Sequence, residues 1–220
     1  MKRLALLLVL LTTCVEAQTR TSVATDDFNR ASLGANWGST NPGSATPSIQ
    51  VNVEVRCNHS NQCGARWIGA GSFTDDQYST LELGSAFATG EMGPAVRMTA
   101  DTNANRDHYT CNLFITGAGP QYPMRLKKTL NGTETLLDGS LQVTPATGKV
   151  MAIEVVGNTL KCYYDGTLLY TVTDSTSPIT TGLPGWTAII DMRGDNWVGG
   201  NMVSGGGGAT PKGNLLGVHP

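Results

Sequence analysis

Three dipeptides in the second half of the chain, Asn131-Gly132, Gly157-Asn158 and Asp165-Gly166, limit what it can fold into more than any other feature. Asn, Asp and Gly tolerate the positive φ angles of tight hairpin turns, and each dipeptide separates short runs of β-forming residues. Such turns impose consecutive antiparallel strands. Across residues 151–156, 159–164 and 167–173 a period of two places Met151, Ile153, Val155, Leu160, Cys162, Tyr164, Leu168, Tyr170 and Val172 on one face, which is predicted to be core. Residues 49–55, 78–83, 93–99 and 109–115 alternate in the same manner, and no stretch carries apolar residues at helical spacing. With 27 glycines, 40% hydrophobic and only 15% charged residues, the composition is that of a folded chain rich in turns. A length of 220 residues fits one all-β sandwich with short ends.

The ends read differently. Lys2 and Arg3, the apolar run 4–11 and the small-residue site Val15-Glu16-Ala17 form a secretory signal over residues 1–17, so the mature protein is expected to begin near Gln18 and to be secreted to the extracellular space. A lipoprotein anchor at Cys14 is the competing reading, disfavoured by Thr13 where such sites carry Gly or Ala. No segment approaches the roughly 20 apolar residues of a membrane span. Residues 204–220 open with Ser204 and four glycines and are predicted to be a flexible tail.

Loss of Lys2, Arg3 and Glu16 takes the formal charge from −2 (15 Lys+Arg against 17 Asp+Glu) to −3. With no basic cluster denser than Lys127-Lys128, neither nucleic acid nor an anionic membrane is an expected partner. Four cysteines remain in an oxidising compartment, where thiols pair. Cys111 shares inward parity with Tyr109, Leu113 and Ile115, as Cys162 does on its own strand, which favours Cys111 with Cys162 and leaves Cys57 with Cys63. No Cys-x-x-Cys spacing supports zinc.

Several short motifs now fall into order: Asp26-Asp27-Phe28-Asn29-Arg30, Leu33-Gly34-Ala35-Asn36-Trp37, Asp76-Gln77-Tyr78-Ser79, Gly93-Pro94-Ala95-Val96-Arg97, Cys162-Tyr163-Tyr164-Asp165-Gly166 and Gly194-Asp195-Asn196-Trp197. Together they resemble the laminin G-like domains of bacterial and phage-associated secreted proteins, within the concanavalin A-like lectin/glucanase class. The resemblance covers most of residues 25–203 and implies a two-sheet antiparallel β-sandwich, a concanavalin A-like jelly roll, with glycans bound in a concave groove or at its rim. The four cysteines depart from the class and point to a stabilised extracellular variant.

Glycosidases of this fold resemble one another in a Glu-x-Asp-x-x-Glu strand, because two carboxylates about 5 Å apart must act together. This chain has no such strand, and no residue is assigned a catalytic role. The outward parity of the central strands offers Glu82, Arg97, His108, Asn112 and Tyr163 to the groove, joined by Trp67 as an aromatic platform. Planar polar groups beside an aromatic ring suit a sugar's hydroxyls and apolar face. Trp37 and Trp197, beside strand ends, are expected to seal the core. A glycan-binding or adhesion module is the leading reading. A polysaccharide lyase using Arg97, His108 and Tyr163, or a hydrolase, is the alternative, and a structural surface or matrix component is a further one. No cofactor is assigned from the sequence. A structural calcium is the one ion with candidate ligands, either at Asp101, Asn103, Asn105 and Asp107 or at Asp26, Asp27 and Asp195. Asn58-His59-Ser60 and Asn131-Gly132-Thr133 are glycosylation sequons.

Overall fold

The structure, a computed structural model, describes residues 18–39, 47–50, 53–57, 62–85, 89–99 and 105–204. The expected leader 1–17 with Cys14, the tail beyond Ser204, the Asn58 sequon, and Asp101 and Asn103 lie outside those residues.

Among the described residues the chain forms strands and no helix. In order they are β1 (Gln18–Asp26), β2 (Trp37–Ser39), β3 (Pro47–Gln50), β4 (Glu54–Cys57), β5 (Cys63–Trp67), β6 (Gln77–Leu83), β7 (Gly90–Met98) and β8 (His108–Ile115), followed by β9 (Tyr122–Leu130), β10 (Thr133–Asp138), β11 (Gln142–Val143), β12 (Val150–Val156), β13 (Thr159–Tyr164), β14 (Thr167–Thr173), β15 (Leu183–Ile189) and β16 (Arg193–Ser204). They build two eight-stranded sheets. The first runs β14-β13-β12-β6-β16-β4-β3, with β1 also on β16; the second runs β10-β9-β8-β7-β15-β5-β2, with β11 on β9. The predicted hairpins are antiparallel pairs, and Asn131, Gly132, Gly157, Asp165 and Gly166 all take the positive φ that their turns demand.

Inner faces of the two sheets meet in one core. Leu81, Leu83, Met151, Ile153, Val155, Leu160 and Cys162 come from the first sheet; Met92, Tyr109, Cys111, Leu113, Met124, Leu126 and Trp186 come from the second. Two expectations change. Leu168 is 48% exposed rather than core, because a bulge between Cys162 and Tyr163 shifts the register of β14 and turns Leu169 toward the core in its place. The run 49–55 is not one strand but the hairpin β3–β4, with Ile49 opposite Val55 and Val53 N donating to Gln50 O.

Both expected disulfides form. Cys57–Cys63 closes a local loop between β4 and β5, while Cys111–Cys162 joins β8 of one sheet to β13 of the other through the buried core. Their sequence separations are 6 and 51 residues. In the chain-entropy account these closures stabilise by about 2 and about 4 kcal/mol respectively. Urea unfolding of the Cys→Ser pair variants checks this: Cys111→Ser/Cys162→Ser is expected to lose about twice the stability lost by Cys57→Ser/Cys63→Ser.

Candidate functional site

The motif after β1 folds around one carboxylate. Asp26 Oδ1 accepts from Phe28 N at 2.8 Å and from Arg30 Nη1 at 2.6 Å; Oδ2 accepts from Arg30 Nη2 at 2.6 Å and from Trp37 Nε1 at 2.6 Å. Phe28 takes a φ of 50° to make this turn, and Arg30 also donates to Leu33 O. The hydrogen bond to Asp26 raises the pKa of Arg30 above its ordinary value.

Trp37 thereby enters a cluster holding all four tryptophans. Its ring meets Trp67 edge-on at 5.3 Å and Trp197 at 4.7 Å, and Trp67 stacks on Trp197 at 5.5 Å. Trp197 Nε1 donates to Ser79 Oγ and to Gly185 O, tying one sheet to the other. A cleft of about 500 Å³ opens beside this cluster, where β1 and β16 approach β5. Trp67, 7% exposed, gives it an apolar border backed by the fully buried Trp197, and Asp27, Arg30, Asn36 and Asn196 bring planar polar groups to it. Hydrogen bonds from Asn29 hold the exposed Asp27 carboxyl below its ordinary pKa. Asn196, at a φ of 46°, donates through Nδ2 to Glu82 Oε2 at 3.0 Å. Burial, and then the charges of Glu82, Glu54 and Asp27, raise the pKa of the adjacent Asp195.

Of the six residues expected in one groove, the structure brings Trp67 and Glu82 to this region and separates the rest. Parity gave outward directions but not the sheet each strand joins. Glu82 and Tyr163 leave the outer face of the first sheet, whereas His108 and Asn112 leave the outer face of the second, on the opposite side of the sandwich. Tyr163 donates to Glu154 Oε2 at 2.7 Å and lies under the Arg20 guanidinium. Arg97 is 2% exposed and faces no groove. A bulge in β7 opposite β15 gives it a φ of 52° and turns it off the strand's alternation. Its guanidinium then donates to Asp75 O (3.0 Å), Ile179 O (2.6 Å) and Gly157 O (2.7 Å), strapping three loops together. The Arg97–His108–Tyr163 set proposed for elimination is therefore not assembled.

Sequence reasoning missed a polar network on the outer face of the second sheet. Glu91 accepts from Arg125 Nη1 at 3.0 Å, from Asn112 Nδ2 at 3.3 Å and from Lys127, which also reaches Glu134 at 3.2 Å. Arg125 lies flat on Phe114, 3.3 Å from the ring centroid. Glu91, Asn112 and Lys127 are buried. The alternation Met124, Leu126 against Arg125, Lys127 was the available signal, masked by Lys128 at the next inward position. Arg30, Asn36 and Asn196 also escaped as site residues, although their motifs mark the fold, and Asp26 was expected only as a calcium ligand. Among the described residues no group of three His, Cys, Asp or Glu side chains stands close enough to hold a metal ion. Asp26 is taken up by Arg30 and Trp37, and Asp107 accepts from Asn131 N.

The architecture is the concanavalin A-like jelly roll. No protein-family model and no curated protein matches the chain. Among solved structures it is similar to a protein of unknown function with a galectin-like fold from Bacillus subtilis, at TM-score 0.65 and 11% identity over 85% of this chain and 99% of that one. It is also similar to the carbohydrate-binding module CBM66 from Bacillus subtilis (TM-score 0.51, 17% identity, 79% and 97% covered). A third similar structure is the catalytic domain of an endo-1,3-β-glucanase, a laminarinase, from Thermotoga petrophila (TM-score 0.51, 9% identity, 86% and 100% covered). At these identities the likeness is one of fold.

Two consequences are measurable. Removing the strap in Arg97→Met leaves three carbonyls without their donor and is expected to cost about 3 to 5 kcal/mol, seen as a melting temperature about 10 °C lower. His108 is buried against Thr129, and burial, followed by the charges of Arg106 and Lys127, pushes its pKa from 6.5 down to about 3. The unfolded chain takes up that proton near pH 6.5 and the folded chain does not until about pH 3, so the stability due to neutral His108 is lost as pH falls through that interval. Thermal melts across it are expected to decline less steeply in His108→Gln.

Proposed function

We propose that the chain is a secreted carbohydrate-binding module that seats a glycan in the cleft beside Trp67. One observation carries this reading: Asp27, Arg30, Asn36 and Asn196 line a cleft bordered by the Trp67 indole. A pyranose or furanose ring offers hydroxyls that donate and accept in pairs and a C–H face that packs on an indole. Asn side chains both donate and accept, and the Asp27 carboxylate accepts, so the polar inventory fits hydroxyl pairs. The likeness to a carbohydrate-binding module supports the reading at the level of fold. Two disulfides support passage through an oxidising compartment.

Hydrolysis draws on the same likeness to a glucanase, but the cleft gives it little to work with. Its chemistry requires two carboxyl groups facing one bond. In the cleft Asp26 is bound on both oxygens by Arg30 and Trp37, and Asp27 is held by Asn29. Recognition without turnover is the function that these groups support.

Affinity electrophoresis and calorimetry on soluble β-glucans, fructans, xylans and uronate polymers test this. Binding to at least one is expected, and Asn36→Ala, Asn196→Gly and Asp27→Ala, all surface changes, the glycine chosen because position 196 holds a positive φ, are expected to weaken it about tenfold each, about 1.4 kcal/mol, at nearly unchanged melting temperature. Release of reducing ends, or growth of unsaturated-uronate absorbance, on the same panel would replace binding with catalysis. Retention of full affinity by all three variants would move the site elsewhere.

A further inference from the structure

Among the described residues the sandwich leaves strand edges open, and all but one carry features that discourage pairing with another chain. β1, bonded only to β16, carries Arg20 and Asp26 and is bulged between Ser22 and Ala24. β3 begins at Pro47. β10 carries Glu134 and Asp138 with a bulge before Asp138. β2 and β11 are three and two residues long. β14 is different: it closes the first sheet with the seven residues Thr167-Leu168-Leu169-Tyr170-Thr171-Val172-Thr173, without a charge or a proline.

Every residue of β14 is aromatic, β-branched or leucine, and Thr167, Leu168, Thr171 and Thr173 are exposed. Beyond its bulge at Leu169 the strand is regular from Tyr170 to Thr173. Read against itself in the antiparallel sense about a two-fold axis, that run sets Thr171 opposite its own copy on the outer face and Tyr170 opposite Val172 on the inner one. Such neutral aromatic and β-branched pairs are favourable across strands, and no like charges oppose. Beside it stands the edge of the second sheet at β10, where Leu136 is 56% exposed. Between the two edges lies a cleft of about 540 Å³ lined by Leu130, Leu137, Val172, threonines and serines and by the Lys128–Asp174 ion pair. An uncharged edge strand contrasts with the charges, proline, bulges and short lengths of the other edges.

We propose that β14 pairs edge to edge with β14 of a second copy of this chain, about a two-fold axis, joining the first sheets of two sandwiches into one continuous sheet. The contact is isologous and closes at two copies. It lies in β14, the terminal strand of the first sheet, whereas the glycan cleft is formed by β1, β5 and β16, so the pair presents two independent binding sites.

Sedimentation velocity of the purified protein, from about one to several hundred micromolar, tests this. A reversible dimer is expected; Thr171→Lys, which sets two like charges opposite each other at the axis, and Thr171→Lys/Thr173→Lys, which adds further lysines on the same face, are expected to raise its dissociation constant at least tenfold. Val203→Lys, an exposed position away from this flank, is the control and is expected to leave the dimer intact. Hydrogen exchange on the wild-type protein gives an independent reading: β14 amides are expected to slow with rising concentration while those of β1 do not. A protein monomeric throughout the range overturns the proposal. So does a dimer indifferent to both lysines, or one that protects other amides instead.

Discussion

The end of the sandwich that holds the candidate site depends on the Asp26 carboxylate. An ion that is only 9% exposed must have its oxygens satisfied, and Asp26 obtains four donors from residues within eleven positions of it. Meeting that demand turns the backbone at Phe28, folds Arg30 back onto the strand end and fixes the Trp37 indole. Trp37 in turn positions Trp67 and Trp197, whose rings join β5 of one sheet to β16 of the other. The cleft is a by-product of this order: its wall is the cluster's outer surface and its rim is the loop that Asp26 shapes.

Elsewhere, charge is used inside the protein to tie strands and loops rather than to meet solvent. Lys128, the inward neighbour of Lys127, pairs with Asp174 at 2.8 Å and donates to Thr176 O and Ser177 O, while Tyr109 donates to Asp174 Oδ2 and accepts from Ile179 N. Burial pushes the Asp174 pKa up, but the Lys128 and Tyr109 donors outweigh it and hold it below the ordinary value. Arg97 serves the loops around Asp75, Gly157 and Ile179 in the same manner. These groups fix connections that the hairpin turns leave open, namely how β14 leads to β15 and how the loop before β6 seats on the sheets. Their polarity is structural.

The fold was legible because its signals are local. Turn dipeptides fix hairpins, and period-two alternation fixes inner faces, so β6, β8, β12 and β13 were readable from residue types alone. Cys111 and Cys162 could be paired because both had inward parity. What failed required tertiary information. A bulge costs one residue of register and leaves no mark in composition, which is why Leu168 and Arg97 were assigned the wrong surroundings. Assignment of strands to sheets is equally invisible to alternation, so residues on opposite faces were gathered into one groove. In β9 the inward Lys128 broke the pattern by which the strand would have been found. The candidate site was legible in part: Trp67 and Glu82 were singled out and lie at or beside the cleft, Asp26 and Asp27 were read as calcium ligands, and Arg30, Asn36 and Asn196 were seen only in motifs that mark the fold.

That division follows from how the cleft is made. Asp26, Arg30, Trp37 and Trp197 carry the packing and cannot change without loosening both sheets. Asp27 and Asn36 stand on the loops around β1 and β2, and Asn196 on a bulge of β16, all at the rim and exposed. A rim of this kind accepts substitutions at small cost in stability, whereas the tryptophan wall does not. Recognition can therefore be retuned by changing rim residues on a fixed apolar wall. Catalysis on the same frame would need a second carboxyl directed into the cleft, and the one buried there is already committed to holding the frame together.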